Sequence, residues 1–274
     1  MAGQRHRAKK SLGQNFLVDA NLQRKIVRAL GAGPRDEVLE IGPGRGALTG
    51  HLAGRVHRLV LVEIDDELAP ALASRFADDP SVQVVHGDVL DTDLPRLLPR
   101  WDEALVVGNI PYNITTPILF HLLRRPRPRE IVLMVQREVA DRMVAGAGER
   151  AYGALAVGVQ SVADVALLFP VPRTAFRPVP GVDSAVVRIR PHRPPRLEPE
   201  EERRLRILTR SAFQWRRKQL QKILRRHPAL NIPEVAVDRL GEELHLDLAR
   251  RPETFSPDLL LELVRRLPDD ALGD

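Results

Sequence analysis

Through the first two thirds of the chain, short runs of Val, Ile and Leu alternate with stretches whose apolar residues recur at helical spacing. The runs Val38–Ile41, Arg58–Ile64, Val82–His86, Ala104–Val107 and Glu130–Val135 are bounded by Gly, Asp or Pro and predict strands. Between them Ala47–Ala53, Glu67–Phe76, Pro117–Leu123 and Glu138–Val144 predict helices, and a further helix, Asn21–Leu30, precedes the first strand. Such alternation predicts an α/β domain built on a parallel sheet covered on both faces. A later extended run, Ser184–Arg190, has the character to complete that sheet. The segment Pro191–Pro199 is proline-rich and poor in apolar residues, which predicts a linker. Beyond it the pattern is purely helical, with Glu200–Arg226, Glu234–Leu240 and Pro257–Leu267. The expected organisation is an α/β domain over 1–190, with a basic N-terminal extension over 1–20, then a helical domain over 191–274.

The helical tail carries a second pattern. Leu205, Leu208, Ala212, Leu220 and Ile223 share one face of a 3.6-residue helix, while Arg203, Arg210 and Arg217, spaced by seven, fall on another. Arg216 lands on the apolar side, so a break or bend is expected near Gln214–Arg216.

Charge sharpens this picture. The 274 residues carry a formal net charge of +6, unevenly spread. Residues 1–28 hold seven Lys/Arg and one acid, and residues 188–227 hold fourteen Lys/Arg and four acids, so the rest of the chain is acidic. An acidic body with two basic segments points to a polyanionic partner. Only five of the 42 basic residues are Lys, and Arg favours planar bidentate phosphate contacts. The chain has no cysteine, which excludes disulfides, thiolate metal sites and cysteine nucleophiles and suits a reducing cytosol. No apolar run reaches membrane-spanning length, and the basic N-terminus lacks the apolar stretch of a secretory signal. The eight histidines show no ligand spacing, so no metal is expected.

The chemistry concentrates at the predicted strand ends. In Val38-Leu-Glu-Ile-Gly-Pro-Gly-Arg-Gly46 a strand runs into a glycine turn followed by a helix. Glycines let the backbone turn sharply and approach a ligand, and the helix N-terminus favours negative charge. Glu63 ends the next strand about 20 residues on, where a carboxylate can accept both hydroxyls of a ribose. Dinucleotide and S-adenosylmethionine sites share this geometry. Asp88, after the third strand, is placed to bond an adenine amino group. The fourth strand ends in Asn109-Ile-Pro-Tyr112. There the Asn109 oxygen and a freed backbone carbonyl can both accept from an amino group, turning its lone pair toward a methyl donor, while Tyr112 can stack on a flipped base. Hydride transfer, the competing use of such a fold, has no need of this tetrapeptide.

Seven segments together resemble the ribosomal RNA adenine N6,N6-dimethyltransferases: Ser11–Leu17, Glu40–Gly44, Val62–Asp65, Gly87–Leu90, Asn109–Tyr112, Phe176–Ala185 and Phe213–Lys218. They occur in the family's order and span nearly the whole chain. The fold this implies is a Rossmann-like S-adenosylmethionine-dependent methyltransferase sheet with a small C-terminal all-α domain. By resemblance, Asn15 and Leu17 close over the cofactor, Gly42 approaches its methionine end, and Glu63 holds its ribose. Ile64 lies against the adenine, Asp88 binds its amino group, and Val89 is a further cofactor contact. Asn109, Pro111 and Tyr112 present the substrate base, with Phe176 stacked on its other side. Arg203, Arg210, Arg216, Arg217 and Lys218 are the expected RNA contacts. The implied substrate is 16S rRNA in the immature small ribosomal subunit, methylated twice at each of two adjacent adenosines near the 3′ end. A cytoplasmic monomer with no membrane association is expected. The nearest rival is the relative that methylates 23S rRNA and confers macrolide resistance; the arginine-rich tail and Phe176–Ala185 look more like the small-subunit enzymes. A non-catalytic RNA-binding assembly factor is a rival of another class, against which the complete site motifs stand.

Overall fold

The computed structural model describes Lys9 and residues 12–230, 232–268 and 271. It divides into two compact units. One runs to Ala140 and resumes over Val165–Pro191; the other holds Asp141–Asp164 and the chain described from His192 onward.

In the first unit, a two-residue strand β1 (Phe16–Leu17) leads into helix α1 (Ala20–Leu30). Asp19 caps α1, its carboxylate accepting from the amides of Asn21 and Leu22, and Gly31 ends it at φ +67°. Strands β2 (Glu37–Ile41), β3 (Arg58–Glu63), β4 (Val82–His86), β5 (Leu105–Asn109) and β6 (Glu130–Gln136) follow. Between them come helices α2 (Thr49–Leu52), α3 (Leu68–Arg75), α4 (Leu94–Leu97) and α5 (Thr115–Leu122), and α6 (Arg137–Val144) follows β6. Strand β7 (Ala163–Val171), the short β8 (Phe176–Arg177) and β9 (Ser184–Pro191) come after helix α7 (Ala154–Gln160).

The main sheet has the order β4-β3-β2-β5-β6-β9-β7. Its first five strands are parallel, and β9 runs antiparallel to β6. Consecutive strands lie on one side of β2 and later ones on the other, so the crevice where ligands of open α/β sheets bind falls at the carboxyl ends of β2, β3 and β5. Val38, Leu39, Leu59, Leu61, Val107 and Val132 have no exposed surface. Each contributes about 1.5–3 kcal/mol through burial, which is why the strands read as continuous apolar runs.

The expected strands all form, displaced by a residue or two. The domain boundary needs revision. Ala145, Tyr152, Ala156 and Val157 share an apolar cluster with residues from 197 to 271, and Tyr152 Oη donates to Phe255 O at 2.8 Å. Residues 141–164 therefore belong with the helical unit and not with the sheet domain. The segment expected to be a linker is mostly exposed but anchored at two points: Leu197 is buried in that cluster and His192 N donates to Val162 O at 3.0 Å.

The second unit adds α8 (Pro199–Gln214), α9 (Leu220–Arg226), α10 (Glu234–Glu243) and α11 (Pro257–Arg266). A capping box between Glu198 and Glu201 starts α8. The expected break lies just past Gln214, with α9 resuming at Leu220. Leu205, Leu208, Ala212, Leu220 and Ile223 are buried together as the spacing predicts.

Candidate active site

After β2 the chain turns through Gly42 and Gly44, at φ +62° and +58°, a region that favours glycine. Gly42 N donates to Val62 O at 2.9 Å, tying the turn to β3. A Cβ on Gly44 would come within 3.2 Å of the Phe16 ring, which lies over the turn with the Arg45 guanidinium 4.3 Å from its centroid. Glu63 is 4% exposed at the end of β3. Its Oε2 accepts from Gly44 N at 2.8 Å and its Oε1 from Asp65 N at 3.0 Å. Burial pushes its carboxyl above the ordinary range, opposed by those two amides. The next residue, Ile64, is a large apolar side chain left 45% exposed. An oriented buried carboxylate beside an open apolar surface and a glycine-rich turn fits a nucleoside bearing a charged tail. On the next strand over, Asp88 Oδ1 accepts from Leu90 N at 2.9 Å, which fixes the carboxylate in its turn, and Val89 is buried.

Asn109 closes β5 opposite Met134 of β6. Its Nδ2 donates to the carbonyl of Asn15 at 2.9 Å, so the strap of residues 12–17 is pinned to the carboxyl edge of the sheet. Asn15 Nδ2 donates to Gly13 O at 3.2 Å. Pro111 O accepts from Ile114 N at 3.2 Å and Thr115 Oγ1 at 3.1 Å, which holds the Asn-Ile-Pro-Tyr turn. Tyr112 is half-buried; its Oη shares a 2.6 Å hydrogen bond with Ser184 Oγ at the start of β9, and burial raises its phenol pKa. The structure thus brings Asn15, Gly42, Glu63, Asn109, Pro111 and Tyr112 to one sheet edge.

One expectation does not hold in this arrangement. Phe176 has no exposed surface and packs in the apolar cluster with Leu17, Phe169 and Ala175. It pairs with Leu17 of β1 and, having no exposed surface, has no ring face open for a base; it anchors the strap. Leu17, its partner in β1, is 4% exposed, as buried as Glu63.

Of the expected RNA contacts, Arg203 donates to Glu200 from both Nε and Nη2, at 2.8–3.2 Å, and is correspondingly committed. Because α8 ends at Gln214, Arg217 does not continue the seven-residue stripe of Arg203 and Arg210. Arg216 donates to Arg150 O at 3.2 Å and lies 3.8 Å from Glu253. Arg210, Arg217 and Lys218 are exposed and make no ion pair among the described residues.

Sequence reasoning left Glu40, Lys9, Gln14 and Asp65 without roles. Glu40 is buried, accepts from Thr49 Oγ1 at 2.8 Å, and burial pushes its carboxyl up to about 7. Asp65 accepts from Gln14 Nε2 at 2.7 Å and from Lys9 Nζ at 3.2 Å. Burial alone would raise the Asp65 carboxyl, but hydrogen bonds from Glu67 N, Gln14 and Lys9 bring it down to about 2. Gln14 and Asp65 both stand inside the motifs already singled out, but only the fold makes them partners.

A glycine turn, a buried carboxylate, an Asn amide and a half-buried Tyr gathered at the switch point suit methyl transfer to an exocyclic amine; the class is that of the S-adenosylmethionine-dependent methyltransferases. Within it, residues 5–254 match the family described as ribosomal RNA adenine dimethylase, and the chain belongs to that family. It is 41% identical over 270 residues to "Ribosomal RNA small subunit methyltransferase A" of Geobacter sulfurreducens, covering 97% of this chain and 98% of that one. The protein of the same name from Moorella thermoacetica is 43% identical over 268 residues, covering 94% and 92%. Among solved structures, a dimethyladenosine transferase from Plasmodium falciparum superposes with a TM-score of 0.79 at 28% identity, covering 90% of this chain and 95% of that one. The 23S rRNA methyltransferase ErmE superposes at 0.72 and 29% identity, covering 92% and 99%.

Proposed function

We propose that this protein transfers methyl groups from S-adenosylmethionine to the N6 of adenosines in small-subunit ribosomal RNA. The substrate is two adjacent adenosines near the 3′ end of 16S rRNA in the immature subunit, each methylated twice. The observation that carries the reading is the Asn109 amide, whose nitrogen is engaged by the Asn15 carbonyl, leaving its oxygen to accept at the edge of a nucleoside pocket. The relatives named as small-subunit methyltransferases, matched over nearly their full length, favour this substrate over 23S rRNA.

The bound cofactor supplies an electrophilic sulfonium methyl. Glu63 would hold its ribose, Gly42 would let the backbone approach its methionine end, Ile64 and Val89 would line its adenine, and Asp88 would accept from the adenine amino group. Asn109 Oδ1 and the Ile110 carbonyl accept the two hydrogens of the substrate amino group, since the Pro111 carbonyl is already taken. Those bonds draw the nitrogen lone pair out of conjugation and aim it. Tyr112, steadied by Ser184, stacks on the flipped base. The enzyme's contribution is orientation in a site that excludes water, and the amino proton leaves after the methyl is in place. Arg210, Arg217 and Lys218 contact phosphates. The enzyme works as a cytoplasmic monomer.

The test is incubation of unmethylated small and large subunits with labelled cofactor. Label in the small-subunit RNA alone is expected; label confined to large-subunit RNA assigns the chain the 23S specificity, and none in either makes it a non-catalytic binder.

A further inference from the structure

Two side chains that the reaction as described leaves unused are Asp65, just past β3, and Gln14, on the strap before β1. Asp65 is 1% exposed. Its Oδ1 accepts from the backbone amides of Glu67 at 2.9 Å and Leu68 at 3.2 Å, which starts α3. Oδ1 also accepts from Lys9 Nζ at 3.2 Å; helix capping gives Oδ2 no part. That oxygen accepts from Gln14 Nε2 at 2.7 Å. Gln14 Oε1 in turn accepts from Lys9 N at 2.8 Å, and Lys9 Nζ meets Asp65, Asp66 and Glu67. The strap is thus latched to the end of β3, beside Glu63.

One residue along, the Asn15 carbonyl accepts from Asn109 Nδ2. A carbonyl cannot bond to an amide oxygen, so this contact excludes the flipped amide and sets Asn109 with its acceptor outward. Without the strap, either end of the amide could face the substrate, and a donor pointed at an amino group repels it.

We propose that Asp65 and Gln14 are positioning residues for methyl transfer: their hydrogen bond fixes the strap so that the Asn15 carbonyl holds the Asn109 oxygen toward the substrate amino group. The inference rests on the reading of Asn109 given above. Both side chains act through the strap and neither touches the reacting atoms. Misplacement of an orienting group by about 1 Å costs up to about a hundredfold in rate, so a loosened latch has a measurable effect.

The test exploits the polarity of the bond. Asp65→Asn keeps an oxygen for α3 but turns a donor toward the Gln14 donor. Gln14→Glu sets carboxylate against carboxylate. The two together restore one hydrogen bond with donor and acceptor exchanged. Methylation of unmethylated small subunits is followed at saturating cofactor, with melting temperatures measured in parallel. Each single variant is expected to lower kcat by about tenfold or more with KM for the subunit within about twofold, and the double variant to return to within about threefold of the parent. Gln14→Ala, which leaves α3 intact, is expected to show the same loss of kcat. Single variants or Gln14→Ala with the parent's kcat would overturn the proposal, as would a folded double variant no better than the worse single. The parent's own turnover on small subunits tests the functional reading separately. Were the parent to methylate another RNA, the same ratios on that RNA would still test the latch.

Discussion

Asn109 has its amide nitrogen bonded to Asn15 and its oxygen at the rim of the pocket, and it stands at a strand end where its side chain supports no core packing. Asn109→Ala is therefore expected to leave the melting temperature near the parent's while lowering single-turnover methylation by about a hundredfold or more. Near-normal turnover in a folded variant would remove Asn109 from the chemistry. Glu40 behaves differently, because it is buried and pushed from 4.5 to about 7. A folded pKa above the unfolded one means that the folded state binds the proton more tightly, so stability falls as the pH rises from about 4.5 to about 7. The cost of ionising it in place reaches about 3 kcal/mol at about 1.4 kcal/mol per pKa unit. Glu40→Gln keeps an acceptor for Thr49 and removes the titration. It is expected to melt above the parent near pH 8 and level with it near pH 5; equal melting at both would show that Glu40 ionises freely. At this scale the sequence was informative where a motif fixes a backbone position. Gly42, Glu63 and Asn109 are in place because strand ends fix them. It was uninformative where packing decides: nothing in Phe176 itself distinguishes an open aromatic from one sealed against Leu17, Phe169 and Ala175, and the i,i+3 spacing of Glu200 and Arg203 allows their ion pair without deciding it against a phosphate.

At the scale of elements, α8 and α9 carry the phosphate-binding hypothesis, and the break between them divides it. Arg210 lies on α8 and Arg217 in the connection, both exposed, whereas Arg203 is engaged by Glu200. Arg210→Ala and Arg217→Ala are each expected to shallow the log–log salt dependence of small-subunit binding by roughly one. Arg203→Ala is expected to leave the slope unchanged. Filter binding across a salt series reads both, and a parent-like slope in the first two would move the contact to the N-terminal basic segment. The elements that escaped the hydrophobic pattern did so for physical reasons. β7 contains Pro170 and shows no alternation, and it is tolerated because it forms the sheet's edge. α7, with Gly158 inside an apolar run, has neither a polar face nor strand composition, because its surroundings bury most of it. β1 and β8 are two residues each, too short for any period to register.

At the scale of the whole molecule, two separately cored units share the work that the charge distribution announces: a sheet unit that holds the cofactor-type site, and a helical unit rich in arginine. The central claim is that this assembly dimethylates N6 of adenosines in small-subunit RNA. The most direct measurement is mass-spectrometric mapping of 16S rRNA from unmethylated small subunits after incubation with the protein and S-adenosylmethionine. The account predicts N6,N6-dimethyladenosine at two adjacent positions near the 3′ end and at no other site. Modification of another base, arrest at the monomethyl stage, or a product found only in 23S rRNA would contradict it.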